Sequence, residues 1–358
     1  MPLKLPHDNI SGPFSGDKIL WHTEALNGLR AGENPAPVSV ELDVTNVCNL
    51  NCPYCTNEDY RTRCEVHLNI ELVTRTIMEL AAMGVKAITF TGGGEPTMYP
   101  KLRESIELAK QYGLDVALIS NGLSSFPSKT IVQNCTWVRY SVDAYDQSSY
   151  IQSKQVDGFQ RVWRNIEAVV NAKKEYRSKC IIGIGILTDV IGTGMLAKTT
   201  AAFKPLGVDY IQFRPVVFNA HDPRSKEHVI RWDEDDFQSA KSQETESYRV
   251  YISAAKYRNM TKENSDRNYK HCTGVYFSCA IGATGDVWIC CHMRGNKKFS
   301  IGNINQSTFS EIWNDTQTRN TIYGLIGNFA ECMSLCRFHG QNTLLANINW
   351  NPQHVNFL

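Results

Sequence analysis

Three cysteines lie close together near the start of the chain, in the segment Cys48-Asn-Leu-Asn-Cys52-Pro-Tyr-Cys55. Thiolates are the soft ligands that zinc and iron–sulfur clusters favour, and three of them on one loop can converge on one metal centre. Three ligands leave a tetrahedral shell one short, which suits a catalytic cluster. A structural zinc would take Cys64 or His67 as its fourth ligand. On these residues alone, both interpretations stay open.

A glycine-rich segment, Gly92-Gly93-Gly94-Glu95-Pro96, follows about forty residues later. Glycines let the backbone approach a ligand closely and expose its N–H groups, and Glu95 adds an acceptor suited to an ammonium group. The Lys-Ser/Thr pair of a nucleotide-binding P-loop is missing here. A second candidate, Gly183-Ile-Gly185, lacks the third glycine of a dinucleotide fingerprint and is a weak signal.

Six more cysteines lie in residues 271–340. They are Cys272, Cys279, Cys290, Cys291, Cys332 and Cys336. Gly285 allows a tight turn that brings Cys272 and Cys290 together, and Cys332 and Cys336 supply a second pair. Four cysteines suit either a second iron–sulfur cluster or a structural zinc. Cys279 or Cys291 could replace a neighbour as a ligand.

Apolar segments alternate with amphipathic helices from Val38 onwards, which predicts a parallel α/β sheet with right-handed crossovers. The predicted strands are Val38–Thr45, Ala87–Thr91, Asp115–Ser120, Trp137–Val142, Ile181–Leu187 and Tyr210–Val216. The predicted helices between them are Asn69–Met83, Leu102–Tyr112, Phe159–Tyr176 and Leu196–Leu206. Six strand–helix units indicate an incomplete barrel. Both motifs follow strands, at the carboxyl ends where such folds carry their chemistry.

The cysteine motif, with Tyr54 before its last cysteine, and the GGGEP motif together resemble the radical S-adenosylmethionine (SAM) superfamily over about residues 38–217. The resemblance implies a partial (β/α)6 barrel. It also implies a [4Fe–4S] cluster held by Cys48, Cys52 and Cys55, whose fourth iron is chelated by the amino and carboxylate groups of SAM.

The resemblance further implies which residues bind SAM. Gly92, Gly93, Gly94 and Glu95 match the segment that binds the SAM ammonium, and Tyr54 matches the aromatic residue beside adenine. Four residues at strand ends are expected at the ribose and methionine moieties: Ser120, Asn121, Ser141 and Asp143. Lys154 stands where the family often carries an arginine for the SAM carboxylate.

The C-terminal cysteine spacing resembles the SPASM and Twitch auxiliary-cluster domains. A full SPASM domain needs seven cysteines with a C-x2-C-x5-C-x3-C run, and this chain lacks that run. The resemblance is therefore to the shorter, single-cluster Twitch type. It implies a second, auxiliary [4Fe–4S] cluster on Cys272, Cys290, Cys332 and Cys336.

The implied activity is reductive cleavage of SAM to a 5′-deoxyadenosyl radical, which abstracts hydrogen from a substrate. We expect a small substrate of the sugar, aminocyclitol or nucleotide type. The expected outcome is dehydrogenation or a related epimerisation, dehydration or decarboxylation. Peptide-modifying relatives often carry a leader-recognition domain, for which 37 N-terminal residues are too few. Modification of a peptide or protein, by a peptide maturase or a glycyl-radical activase, is the alternative.

Arg214, at the end of the sixth predicted strand, is the candidate substrate contact. A fixed guanidinium is well suited to an anionic substrate group, although a structural ion pair is an equal alternative.

Composition limits the partners. Lys and Arg total 37 against 36 Asp and Glu, so no net positive field exists to gather nucleic acid or an anionic membrane. No apolar run reaches the ~18 residues of a membrane span, and the N-terminus lacks the apolar region of a signal peptide. We expect a cytoplasmic enzyme that receives electrons from a flavodoxin- or ferredoxin-type donor.

The predicted domain organisation has five parts. They are an N-terminal extension (1–37), the radical SAM barrel (38–220), a helical linker (221–270), a Twitch-like auxiliary-cluster domain (271–340) and a C-terminal tail (341–358). The linker is predicted to hold one polar helix over Glu234–Arg258, and the auxiliary domain one helix over Phe309–Ile326.

Overall fold

The strands and helices of the barrel alternate along the chain as the hydrophobic pattern predicts. The computed structural model describes residues 14–218, 222, 224, 233–252, 257, 267, 269–326, 332 and 336–348. Its strands are β1 Ser39–Leu42, β2 Ala87–Phe90, β3 Asp115–Ser120, β4 Trp137–Ser141, β5 Ile181–Leu187, β6 Tyr210–Arg214, β7 Arg249–Ile252, β8 Ser278–Ile281, β9 Asp286–Trp288 and β10 Ser300–Asn303.

The helices flank these strands. The α-helices are Thr23–Arg30, Glu58–Arg63, Ile70–Ala82, Leu102–Gln111, Ser128–Asn134, Gln147–Lys154, Phe159–Glu175, Thr188–Ile191, Leu196–Phe203, Glu234–Lys241, Phe309–Asn314, Thr316–Ile326 and His339–Ala346. Short 3-10 helices cover Gly16–Trp21, Pro96–Met98, Lys204–Leu206, Thr273–Tyr276, Cys291–Met293 and Lys297–Phe299. In the described residues, none of the helices is long and apolar enough to cross a bilayer.

All ten strands form one sheet, in the order β10-β9-β8-β1-β2-β3-β4-β5-β6-β7. The strands β1 to β7 are parallel, which confirms the predicted α/β class. The first C-terminal strand, β8, pairs in parallel with β1, with Ser278 opposite Ser39. The hairpin β8–β9 and the strand β10 continue antiparallel from there. The C-terminal region therefore extends the barrel sheet rather than building a separate one.

Local sequence explains where the helices begin and end. Asn69 caps the helix Ile70–Ala82 by accepting a hydrogen bond from the Glu71 N–H, as the sequence predicts. This helix ends before Gly84, whose φ of 86° a residue with a side chain rarely adopts. The apolar face of the helix joins the buried core that Val40 and Phe90 line from the sheet.

The sheet curves so that its inner faces enclose a lumen. Side chains alternate along each strand, so Glu41 on β1 and Arg139 on β4 lie on the face opposite Val40 and Val138, which pack under the helices. The Glu41 carboxylate acts electrostatically on the Arg139 guanidinium although three strand spacings of ~4.8 Å separate their strands in the sheet. This interaction agrees with the partial barrel that the resemblance implies, and the space on this face of the sheet is called the lumen.

Two segments differ from the prediction. The polar helix expected over Glu234–Arg258 ends at Lys241, and Arg249–Ile252 instead forms a seventh parallel strand beside β6. The sequence does not predict this strand because most of its residues are polar or partly exposed. It lies at an edge of the sheet, and only Val250 is fully buried. The residues 253–256 and 258 of the predicted helix lie outside the described part.

The C-terminal elements differ as well. The helix expected over Phe309–Ile326 breaks at Asp315, which has extended backbone angles, and continues as Thr316–Ile326. The first part of the predicted tail forms the helix His339–Ala346, while residues 349–358 lie outside the described part.

A buried ion network joins the C-terminal region to β1. Arg294 binds Glu41 at 2.6 Å and Asp43 at 2.6 Å, with side-chain exposures of 7%, 13% and 0%. Burial alone would raise the pKa of Glu41, but Arg337 and Arg294 outweigh it and lower the value to about 2. Burial raises the pKa of Asp43 to about 6, although the positive charge of Arg294 lowers it in part. The network therefore depends on Arg294.

We expect Arg294→Gln to destabilise the protein by about 3–5 kcal/mol, because it leaves Asp43 buried without its cation and removes one of the two arginines that bind Glu41. The measurement is the free energy of unfolding in urea. The matched control is Arg103→Gln, which removes an exposed pair with Glu107 and should change stability by less than about 0.5 kcal/mol. Equal stability of the two variants would contradict the proposed importance of the network.

Candidate functional site

The first cysteine loop lies at the carboxyl end of β1, and all three of its thiols are half-buried. Cys52 and Cys55 are joined by a tight turn, in which the Cys55 N–H donates to the Cys52 carbonyl at 3.0 Å. Burial raises the pKa of Cys48 to about 11 and also raises that of Cys52, where nearby Lys154 opposes the shift. The loop thus holds the three predicted ligands at one strand end.

Side-chain amides tie this loop to its neighbours. Asn49 accepts a hydrogen bond from the Asn121 amide at 2.7 Å and donates one to the Ser124 hydroxyl at 3.0 Å. Asn57 donates to the Gly92 carbonyl at 3.1 Å. The cysteine loop, the glycine loop after β2 and the turn after β3 therefore form one hydrogen-bonded edge, as expected when parallel strands end together.

The glycine loop is packed tightly against the chain that follows β1. A Cβ on Gly94 would lie 2.2 Å from the Val47 carbonyl oxygen, and one on Gly93 would lie 2.3 Å from the Asn46 side chain. The Gly94 and Glu95 N–H groups donate to the carbonyls of Thr45 and Val47. The expectation that these glycines expose N–H groups to a ligand is therefore wrong for the Gly94 amide. The glycines are required by packing.

Glu95 also has a different environment from the one expected. Its side chain is buried, with only 3% of the residue exposed. One oxygen accepts from Ser120 at 2.6 Å and from the Thr97 hydroxyl at 2.7 Å, and the other accepts from the Asn121 N–H at 2.7 Å. Burial raises the pKa of Glu95, while these donors oppose the shift. The carboxylate joins two strand ends, and its role at the SAM ammonium group stays a prediction.

Asp143 and Lys154, predicted to contact SAM separately, bind each other. Their buried side chains form an ion pair of 2.5 Å. Asp143 has a left-handed φ of 52°, and its other oxygen accepts from the Leu187 N–H at 2.8 Å. Burial alone would lower the pKa of Lys154, but Asp143 and Cys52 outweigh it and raise the pKa. Lys154 is thus a charged group beside the cysteine loop, and its carboxylate partner comes from the protein.

The remaining predicted SAM contacts lie at the same edge. Ser120 and Asn121 are buried in the network around Glu95, while Tyr54 and Ser141 are half-buried. Roles for these four residues at adenine, ribose or methionine stay predictions.

Sequence reasoning missed two arginines at the cysteine loop. Arg61, which is buried, donates to the Asn51 side chain at 2.8 Å and acts electrostatically on Cys48 and Cys52. Arg224 donates to the carbonyl of Pro53 at 2.7 Å and to that of Cys55 at 3.2 Å. No motif marks either residue: Arg61 lies in the helix Glu58–Arg63 that follows the loop, and Arg224 reaches the loop from a segment distant in the chain.

The second cysteine set gathers around the start of the last helix. The Cys336 thiol has Cys272, Cys332 and Cys291 as electrostatic neighbours, and Cys290 is hydrogen-bonded to Cys291. Burial raises the pKa of Cys336 to about 12. The four predicted ligands thus share one region with a fifth thiol, Cys291, whereas Cys279 packs in the hydrophobic core.

Two amide groups missed by the sequence analysis donate to these thiols. Asn342 donates to the Cys272 sulfur at 3.3 Å, and the Phe338 N–H donates to the Cys336 sulfur at 3.3 Å. Asn342 is buried and also accepts from the Gly274 N–H at 2.9 Å. Hydrogen bonds to ligand sulfurs set the potential of a cluster, so the predicted tail contributes to this site.

The donor sets fit the groups that the sequence implies. Both consist of thiolates at the ends of strands or helices, the ligand type that iron–sulfur clusters use. Among the described residues, no three potential ligands approach closely enough to hold a single metal ion.

Two protein-family models match the chain. The Radical SAM superfamily model matches residues 42–191, and SPASM, an iron–sulfur cluster-binding domain, matches residues 272–339. The matches include all three cysteines of the first loop and all four predicted auxiliary ligands.

Among curated proteins, the GTP 3′,8-cyclase of Chlorobaculum tepidum is 32% identical over 135 residues. That match covers 37% of this chain and 40% of the cyclase, so the chain aligns with less than half of that relative. The AdoMet-dependent heme synthase of Methanosarcina barkeri is 24% identical over 301 residues, covering 79% of this chain and 83% of the synthase.

Among solved structures, Streptococcus suis SuiB bound to its precursor peptide SuiA is similar in fold, with a TM-score of 0.63 and 13% identity. The superposition covers 94% of this chain and 80% of SuiB.

The hydrogen bonds that Glu95 accepts should stabilise the folded protein, and the variant Glu95→Gln tests this. The amide nitrogen that replaces one oxygen would face N–H or O–H donors, so we expect a loss of roughly 1–3 kcal/mol of stability in protein without SAM. Urea unfolding measures it, with Glu107→Gln on an exposed helix as the control. If Glu95 served only a bound ammonium group, both variants would be as stable as the wild type.

Proposed function

Since the chain is a radical SAM enzyme with a SPASM-type iron–sulfur domain, we propose that it abstracts hydrogen from a small substrate and leaves that substrate oxidised by dehydrogenation. The sugar, aminocyclitol and nucleotide classes expected from the sequence are retained. When bound, the cluster and SAM supply a 5′-deoxyadenosyl radical as the hydrogen-abstracting species. The chain's own residues must hold the cofactors, orient the substrate and exclude water.

The observation that carries the proposal is the shared edge formed by three loops. Cys48, Cys52 and Cys55 would hold the radical-generating cluster. Asn121 donates its side-chain amide to Asn49 and its backbone N–H to Glu95, and these bonds fix the neighbouring loops against the cysteine loop.

The side chains of the second cysteine region reach the lumen. Arg294 and Arg337 both bind Glu41, which lies on the inner face of β1, and Arg337 also donates to the Cys291 sulfur at 3.4 Å. The proposed auxiliary cluster, on Cys272, Cys290, Cys332 and Cys336, would therefore border the substrate cavity. This supports a role as acceptor of the electron that dehydrogenation releases.

The positions of the other thiols also support oxidation. Redox-neutral epimerisation needs a thiol that returns a hydrogen atom to the substrate. Cys135, Cys180 and Cys279 are packed in the core outside the lumen, where burial raises their pKa, and Cys64 is exposed. Cys291, the remaining thiol outside both proposed ligand sets, lies beside Cys290 in the auxiliary region.

The alternative proposal is modification of a peptide or protein, as a peptide maturase or glycyl-radical activase. It is supported by the similarity to SuiB, whose structure contains the precursor peptide SuiA. Names of relatives such as the GTP cyclase and the heme synthase support the small-molecule proposal instead. Under either proposal the enzyme is cytoplasmic and takes electrons from a flavodoxin- or ferredoxin-type donor.

Replacing Cys48, Cys52 or Cys55 by Ala should abolish reductive cleavage of SAM, because three protein ligands are all that the first cluster has. Formation of 5′-deoxyadenosine under anaerobic conditions with dithionite is the measurement. Cys64→Ala, at an exposed cysteine, is the matched control and should cleave SAM normally. Wild-type rates in a variant of the loop after reconstitution would refute the assignment.

The triple variant C48A/C52A/C55A should still bind about four irons, since one cysteine-ligated [4Fe–4S] cluster would remain. Iron and sulfide analysis after anaerobic reconstitution measures this, with about eight irons expected in the wild type. Adding C336A to the triple variant should remove the remaining iron. Zinc in place of iron in the triple variant would contradict a second iron–sulfur cluster.

A further inference from the structure

Two arginines inside the lumen have no ionic partner among the described residues. Arg139 projects from β4 and Arg214 from the carboxyl end of β6. The two carboxylates that β1 brings to this face, Glu41 and Asp43, are bound by Arg294. Asp189, at the end of β5, accepts from the Val216 N–H at 2.7 Å. The protein thus supplies more positive than negative charge around Arg139 and Arg214.

Their hydrogen bonding is incomplete as well. Arg139 donates through one terminal nitrogen to the Gln212 side chain at 2.9 Å. The Nε atoms of Arg139 and Arg214 are both buried, and neither has an acceptor in the described part of the chain. A buried donor to which no acceptor is bound loses its hydration without compensation, so each of these groups needs a partner that the described residues do not supply, such as a water molecule or a ligand.

The two guanidinium groups are close enough to influence each other. Burial and the neighbouring charge of Arg214 lower the pKa of Arg139 to about 10, so it stays charged at neutral pH. Tyr210 interacts electrostatically with both. Like charges in a buried place repel each other unless an anion lies between them.

Two glycines of β5 provide the space that the side chains beside them occupy. A Cβ on Gly185 would lie 3.3 Å from Cδ of Arg139, and one on Gly183 would lie within the ring of Tyr210, 2.0 Å from its Cζ. Glycine at both positions lets these side chains lie flat across the strand. The Gly183-Ile-Gly185 segment therefore shapes the lumen rather than binding a nucleotide phosphate.

We propose that Arg139 and Arg214 bind an oxyanion of the substrate, a carboxylate or a phosphate. A planar guanidinium donates two parallel hydrogen bonds to either group, and charge-assisted bonds of this kind are strong in a buried site. The inference rests on the proposed function and restricts its substrate to an anionic molecule. Anchored there, the rest of the substrate extends towards the carboxyl ends of the strands, where Cys48 and the glycine loop lie.

Thermal unfolding of the cluster-loaded protein with bound SAM tests the proposal under anaerobic conditions. Inorganic phosphate and acetate are titrated separately, at ionic strength held constant with sodium chloride. A ligand that binds only the folded state raises its stability in a saturable way. We expect saturable stabilisation by at least one of the two anions, phosphate alone indicating a phosphate substrate and acetate alone a carboxylate.

The variants Arg139→Gln and Arg214→Gln should each weaken this anion binding by about 10- to 100-fold. Without added anion their melting temperature should be at least that of the wild type, because each loses a buried charge that lacks an ionic partner. Arg103→Gln, on an exposed helix, should bind the anions normally. SAM affinity, measured by equilibrium dialysis, should be retained in both lumen variants.

Three results would overturn the inference. In the first, the anions stabilise the wild type no more than they stabilise the double variant R139Q/R214Q. In the second, either single substitution lowers the melting temperature. In the third, either variant loses its affinity for SAM. The last would assign the arginines to the SAM carboxylate. Formation of 5′-deoxyadenosine by the wild type tests the proposed function independently, so the two can fail separately.

Discussion

The buried ion network of Arg294 with Glu41 and Asp43 is the interaction on which the rest of the arrangement depends. Separating these groups would leave charges in a place that water does not reach, so the two segments are held together strongly. The network fixes the C-terminal hairpin against the first strand of the barrel, where β8 already pairs with β1. The region that carries the second cysteine set is consequently held against the strand that precedes the first set.

The sequence predicts most of the fold because the buried strands are apolar and short loops connect them. Asp115–Ser120 and Ile181–Leu187 have the predicted bounds, and the Asn69 cap is confirmed. The seventh strand, Arg249–Ile252, could not be predicted in this way. It lies at an edge of the sheet with little apolar burial, so its pairing with β6 is not encoded in a local pattern.

In the functional site, too, the sequence predicts the local features and not the contacts between distant residues. Residue types and spacing find the cysteines and the glycine loop, because those motifs are local. The partners of polar side chains are not local: Glu95 is satisfied by Ser120 and Asn121, and Lys154 by Asp143. The family resemblance assigns each of them to SAM by its position in the sequence. Only the fold reveals which charges the protein already neutralises.

The presence or absence of a partner within the protein decides how a charged residue in the lumen is interpreted. Lys154 and Arg294 look as functional in the sequence as Arg139 and Arg214, yet the first two have carboxylate partners in the protein. The second two have none among the described residues, their Nε atoms are buried without an acceptor, and glycines on β5 keep the space around them open. Because removing a charge from water without a partner is unfavourable, two such guanidinium groups side by side favour a ligand of opposite charge between them. The lumen is therefore better explained as a binding site than as a core.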